Sequence, residues 1–309
     1  MIEVRNLSKR YGITQAVRDV SFEVKRGEVL GFLGPNGAGK TTTMKIITCY
    51  IPPTDGTVSV AGFDILENPL DVRKRIGYLP ESTPLYTDLM VEEYLYFIAQ
   101  MRQIPLSLRQ QRIKKIIETC SLKEVLKKDI GQLSKGFKQR VGLAQAMIHD
   151  PDILILDEPT SGLDPNQIIE IRQLIKKLGK EKTIILSTHI LPEVSATCDR
   201  VIIINEGQLV ASGTPSELQE QAAGDTILYS SIKALKKDIE SVLPTLDFVK
   251  EFRLIDTQDS FLRYKIITQK TESDPGEQLF SAAVKNNWIL SEIHKENLSM
   301  EDIFLKLTS

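Results

Sequence analysis

Long apolar runs are missing from this 309-residue chain. No stretch approaches the roughly 18 to 20 residues that cross a bilayer. The opening Met1-Ile2-Glu3-Val4-Arg5 lacks the charged-then-apolar order of a signal peptide. A membrane role is therefore expected to come through a partner. Cysteine is scarce: Cys49, Cys120 and Cys198 lie far apart, with no CxxC and no histidine at metal-ligand spacing. That argues against a disulfide framework or a zinc site and fits reduced, packed thiols of a cytoplasmic protein. Excess charge is missing too. The formal net charge is -2 and lysines are interleaved with glutamates, so there is no basic field for a phosphate backbone and nucleic acid is not an expected partner.

What is present is ordinary globular material, 41% hydrophobic and 26% charged, in a length that suits two domains. Alternating apolar residues over Ile2 to Leu7 and at Val17, Val20, Phe22 and Val24 predict half-buried antiparallel strands. Glu28 to Leu33 is a short apolar run that enters a glycine-rich loop, after which Thr42 to Thr48 reads as a helix. Thr87 to Met147 carries mostly helical spacing, as in Val91 to Ile98 and Arg112 to Glu118. Continuous apolar strands follow at Ile153 to Leu156 and Thr183 to Leu186 with a helix from Asn166 to Leu178 between them, which is what a covered parallel sheet requires. Val201 to Ile204 is a further strand, and Asn205-Glu206-Gly207 turns it into Gln208 to Ala211.

Around Gly213 to Asp225 the pattern breaks, placing a domain boundary near Gln219, so that residues 1–218 and 219–309 form separate domains. Beyond it the reading is strand Thr226 to Ile232, helix Lys233 to Leu243, strands Phe248 to Ile255 and Phe261 to Thr268, helix Gly276 to Asn286 and strand Ile289 to His294. This β-α-β-β-α-β order is the ferredoxin-like signature, with a short terminal helix expected from Ser299, three residues before Asp302.

Chemistry concentrates in the first domain. Gly34-Pro35-Asn36-Gly37-Ala38-Gly39-Lys40-Thr41 is a complete GxxxxGK[ST] between a predicted strand and a predicted helix. Glycines let backbone N–H groups turn toward phosphates, and the helix N-terminus, with Thr42 in its first turn, adds positive potential. Lys40 can reach the β- and γ-phosphates, and the Thr41 hydroxyl can ligate Mg²⁺. Leu154-Ile155-Leu156-Asp157-Glu158 ends an apolar strand in two carboxylates at the edge where a parallel sheet binds ligands. Asp157 is the candidate for holding Mg²⁺, and Glu158 for orienting or deprotonating an attacking water. The ligand this predicts is a nucleoside triphosphate; ATP is what the family resemblance of the following motifs implies.

Leu133-Ser134-Lys135-Gly136-Phe137 resembles the LSGGQ signature of ABC ATPases, keeping Ser134 and Gly136 and placing Lys135 and Phe137 where the family pattern differs. Alone, such a segment would mean no more than a helix N-cap. Beside the other motifs, the resemblance covers about the first 215 residues. It implies an α/β P-loop NTPase cassette: a mixed-sheet core, an antiparallel β subdomain and a helical subdomain. It further implies that Ser134, Lys135 and Gly136 close over the nucleotide of a second copy, in a head-to-tail homodimer or with a paired subunit. Ser161-Gly162-Leu163-Asp164 resembles the D-loop, with Asp164 near the dimer seam. His189 resembles the switch histidine that contacts the γ-phosphate, and Tyr11 sits where such cassettes stack an aromatic ring on adenine. Ile76-Gly77-Tyr78-Leu79-Pro80-Glu81 departs from the pattern by placing Glu81 at the Q-loop position, where glutamine is usual; a carboxylate there can ligate Mg²⁺ but repels the γ-phosphate.

The IGYLPE variant, LSKGF and Ser299 to Phe304 are similar to the ABC-2 exporter branch, including its ATP-binding proteins associated with gliding motility. That resemblance implies an ATPase on the inner face of the cell membrane that drives a separately encoded polytopic permease, for which the segment Ser82 to Thr87 is the candidate contact. A soluble ABC ATPase is the alternative. Translation-type members carry two cassettes, and DNA-organising members insert long coiled coils between P-loop and signature. This chain has one P-loop and a compact spacing, which leaves an assembly ATPase as the rival.

Overall fold

The computed structural model describes residues 1–222, 226–258, 260–269, 273–296 and 304. It divides into two compact units, Met1–Pro215 and Ser216–Lys306. The boundary expected near Gln219 falls inside a helix that spans the division, α8 below. The terminal helix expected from Ser299 lies outside the described residues, apart from Phe304.

The first unit begins with a hairpin of β1 (Ile2–Tyr11) and β2 (Thr14–Val24). Its apolar alternation buries Ile2, Val4, Leu7, Val17, Val20 and Val24. β3 (Val29–Leu33) is buried at every position and leads through the glycine-rich loop into α1 (Lys40–Ile47). Gly39, with φ 104°, holds the left-handed turn that starts this helix, a conformation open to glycine at little cost.

Next come β4 (Asp55–Val60), β5 (Phe63–Asp64), α2 (Pro69–Arg75) and β6 (Ile76–Leu79), none of which the sequence pattern announced. The helical stretch comprises α3 (Val91–Met101), α4 (Leu106–Thr119) and α5 (Lys135–Met147). Then follow β7 (Ile153–Asp157), α6 (Pro165–Gly179), β8 (Thr183–Thr188), α7 (Leu191–Thr197), β9 (Arg200–Asn205), β10 (Gln208–Gly213) and α8 (Pro215–Ala222).

Two sheets result. The antiparallel one runs β2-β1-β4-β5, and the larger runs β10-β9-β3-β8-β7-β6. In the larger sheet β9, β3, β8, β7 and β6 are parallel, while β10 is the antiparallel edge. Ile2, Val4 and Val58 from the smaller sheet share one core with Leu30, Phe32, Ile153, Ile155 and Ile185 from the larger. The parallel strands have helices to cover them, which is why they read as unbroken apolar runs. Their carboxyl ends open on one side, so the segments following β3, β6, β7 and β8 meet there.

In the second unit β11 (Thr226–Lys233), α9 (Lys236–Val242), β12 (Val249–Gln258), β13 (Phe261–Thr268), α10 (Pro275–Lys285) and β14 (Ile289–Glu296) appear in the predicted order. The sheet runs β12-β13-β11-β14 with antiparallel neighbours, the ferredoxin-like arrangement. Leu228, Ile232, Tyr264, Ile266 and Leu279 form its core.

One histidine ties stability to pH. After α5, His149 donates from Nε2 to the Ile76 carbonyl at 3.1 Å, leaving Nδ1 buried with no partner among the described residues. Burial, with the Arg102 and Lys182 cations, pushes its pKa from 6.5 down to about 4, outweighing the Ile76 carbonyl and Asp150. The folded value lies below the unfolded one, so between them the unfolded chain binds the extra proton. This contribution is complete above pH 6.5 and is lost as pH falls toward 4, with a slope of up to about 1.4 kcal/mol per pH unit. Urea midpoints at pH 7 and pH 5 are expected to differ less in His149→Asn than in the native chain; equal differences would refute the assignment.

Candidate functional site

Where the parallel strands end, a cleft of about 390 Å³ is lined by residues from Asn36 to Thr42, together with Ala16, Glu81, Glu158, Ser161 and His189. Each arrives on a separate element: the P-loop follows β3, Glu81 follows β6, Glu158 follows β7 and His189 follows β8. Two larger clefts, about 690 and 760 Å³, lie along α5 and α6 and between α3 and α4, away from these strand ends.

Lys40 organises the floor. Its ammonium donates to the Gly34 carbonyl at 2.7 Å and the Pro35 carbonyl at 3.3 Å. It also lies 3.4 Å from Glu158 Oε1, and the two side chains are only 6% and 7% exposed. The other carboxylate oxygen, Oε2, is 2.9 Å from His189 Nδ1. Glu158 is thus clasped between a buried cation and an imidazole. Its backbone is left-handed, φ 48°, a strained conformation that a tight tertiary setting must enforce. Ser187 supplies that setting, because its Oγ accepts from the Glu158 N–H at 3.0 Å.

Asp157 is fully buried. Its Oδ1 accepts from the Ser187 hydroxyl and the side chain also hydrogen-bonds Thr41, while Oδ2 has no partner among the described residues. Burial raises its pKa, opposed by the hydrogen bonds from Ser187 and Thr41. An orphaned carboxylate oxygen beside a hydroxyl is a hard-oxygen donor set. Glu81 and Glu158 line the adjoining cleft, adding negative charge that a divalent cation would offset. Among the described residues no three His, Cys, Asp or Glu side chains gather as a self-sufficient ion site. Magnesium does not need one, since it takes one or two carboxylates with substrate phosphates and water. The residues fit it.

The remaining candidates lie elsewhere. Ser134 caps α5, accepting from the Phe137 N–H at 3.4 Å, with Lys135 and Gly136 in the first turn. Asp164 caps α6, accepting from the Gln167 N–H at 3.0 Å. Tyr11 ends β1, is 47% exposed under the Lys9 ammonium, and does not line the cleft. Sequence reasoning missed Ala16 and Ser187 as site residues, and it named Ser161 only as the start of the D-loop segment. Ser187 faces Asp157 through the β7–β8 register, a relation that local spacing cannot reveal.

A parallel sheet that ends in a P-loop, beside a carboxylate pair and with an inserted helical segment, defines a P-loop ATPase cassette. Comparison with known proteins narrows this. The ABC transporter family profile matches residues 17–161. The linearmycin resistance ATP-binding protein LnrL of Bacillus subtilis is 31% identical over 100% of this chain and 98% of its own length. The Nod factor export ATP-binding protein I of Burkholderia orbicola is 34% identical over 99% of this chain and 96% of its own. A dimeric ATP-binding cassette in a post-hydrolysis state, bound to ADP and Pi, superimposes with a TM-score of 0.64 at 27% identity, covering 69% of this chain and 98% of that one. The chain belongs to the ABC transporter ATP-binding proteins, with the ABC ATPase cassette fold. Among its described residues no helix is long and apolar enough to cross a membrane.

Proposed function

We propose that this chain is the ATP-hydrolysing subunit of an ABC-2 type exporter, working as a head-to-tail pair on the inner face of the membrane and moving a separately encoded permease. The observation that carries the proposal is the Glu158 carboxylate, 7% exposed and held between Lys40 and His189 at the mouth of the P-loop. A carboxylate so placed can take a proton from water, which separates hydrolysis from binding alone.

In this reading the backbone N–H groups from Asn36 to Thr42 cradle the phosphates of ATP. Lys40 exchanges its contacts with Gly34, Pro35 and Glu158 for phosphate oxygens, and that exchange frees Glu158 to act as base. His189 keeps the carboxylate oriented toward the γ-phosphate. Thr41 and Asp157 hold Mg²⁺, which when bound neutralises developing phosphate charge. Glu81 stands next to the same charge and ties the cleft to Ser82 to Thr87, the proposed permease contact. Tyr11 is assigned to the adenine, on the hairpin that leads into Ala16. Ser134, Lys135 and Gly136 serve the partner's nucleotide, and Asp164 lies at the seam between copies.

Export is supported by the relatives, described by resistance to linearmycin and export of Nod factor. The association with gliding motility rests on the sequence resemblance alone. Glu158→Gln protein held with ATP and purified from native membranes is expected to bring a polytopic membrane protein with it. Recovery of soluble partners without one would favour the assembly ATPase instead.

A further inference from the structure

The start of α5 and the loop before α6 interlock through two glycines. The Lys135 side chain lies across Gly162: a Cβ placed there would collide with Lys135 Nζ and fall 3.1 Å from Cε and 3.5 Å from Cδ. In return the Gln167 side chain lies across Gly136, where a Cβ would be 2.5 Å from its Cδ and 2.6 Å from its Oε1. Contacts under 3.0 Å are closer than packed carbons sustain, so each glycine is a seat for the other segment's side chain. Gly162 also has φ +68°, a second reason for glycine there. One turn further on, Arg140 of α5 pairs with Glu170 of α6.

The loop beneath this clasp leads straight to Glu158. The Ser161 N–H donates to the Glu158 carbonyl at 3.1 Å and the Leu163 N–H to the Thr160 carbonyl at 3.2 Å. Displacement at Gly162 is therefore passed through two consecutive turns to the residue proposed as base. Lys135 is also where the chain departs from the glycine of its family's signature, and it makes no ion pair among the described residues. Its seat on Gly162 is made by the ammonium, the nearest of its atoms, with the two methylenes behind it.

We infer that Lys135 is a positioning residue: its side chain straps the signature turn to the D-loop of the same chain, so that nucleotide held by the signature in one composite site sets the Glu158 of the other. This rests on the proposed head-to-tail pair. The strap links the end of α5 that meets the partner's phosphates to the loop that lines its own cleft through Ser161. A glycine at 135 would remove the Lys135 contact and leave the Gln167 seat and the Arg140–Glu170 pair in place.

The test uses the full chain with Lys135→Ala, which removes the strap, and Lys135→Met, which keeps the side chain out to the Cε position and removes only the ammonium. Lys135→Ala is expected to lower kcat about 5-fold and the Hill coefficient for ATP from about 2 toward about 1, leaving the affinity of the monomer for a fluorescent ATP analogue unchanged. Lys135→Met should restore both. Unchanged kinetics in Lys135→Ala would overturn the strap. So would a Lys135→Met variant as impaired as Lys135→Ala that also dimerises weakly in a Glu158→Gln background, because that result leaves the ammonium acting on the partner's phosphates alone, with no strap within its own chain. If Glu158→Gln fails to dimerise with ATP at all, the functional reading fails. The strap is then judged by amide exchange at Gly162 to Asp164, which must rise in Lys135→Ala and not in Lys135→Met.

Discussion

Glu158→Gln is expected to bind ATP, to accumulate as a closed dimer, and to turn over about 10²- to 10⁴-fold more slowly, the worth of a positioned general base. The substitution is nearly isosteric. An amide oxygen can still face His189 Nδ1, now 2.9 Å from the carboxylate, and the Ser187 hold on the backbone N–H is untouched. What disappears is the ability to accept a proton and the negative charge 3.4 Å from Lys40. Removing that charge also removes a repulsion against the γ-phosphate, so binding should tighten while hydrolysis slows. Single-turnover phosphate release, read beside nucleotide retention on a sizing column, separates the two effects. Turnover at the native rate would take the base assignment away from Glu158.

The parts of this architecture visible in the sequence are those with a local signature. β3, β7 and β8 are buried at every position and read as unbroken apolar runs. The P-loop is fixed by residue types that phosphate binding demands. α6 is announced as a helix from Asn166 to Leu178 between two apolar strands, and Ile171, Leu174, Ile175 and Leu178 are buried. β6 escaped because it has four residues, one of them Gly77, against which the α5 backbone at Ala146 packs. Its membership in the sheet comes from pairing with β7, a tertiary fact. The same holds within the site. Asp157 and Glu158 were legible as a strand end, whereas Ser187, which positions both, acts through strand register. Lys135 looked like a deviation from a motif; its partner Gly162 is reached by folding, not by spacing.

Lys40→Ala is expected to weaken ATP binding by about 10- to 10³-fold, the loss of one or two charge-assisted hydrogen bonds to phosphate. It carries a second effect that has to be separated from the first. The ammonium serves the Gly34 and Pro35 carbonyls and pairs with Glu158 at low exposure. Deleting one member of a buried pair costs about 3–5 kcal/mol, because the other is left uncompensated. Lys40→Ala should therefore melt well below the native chain, and weak binding alone could be read as partial unfolding. Lys40→Ala combined with Glu158→Gln resolves this. With no carboxylate left unpaired the double variant should recover most of the melting temperature, yet bind ATP far less tightly than Glu158→Gln. If it binds ATP as well as Glu158→Gln in an isothermal titration, Lys40 does not hold phosphate, and the charge balance of the cleft serves the fold alone.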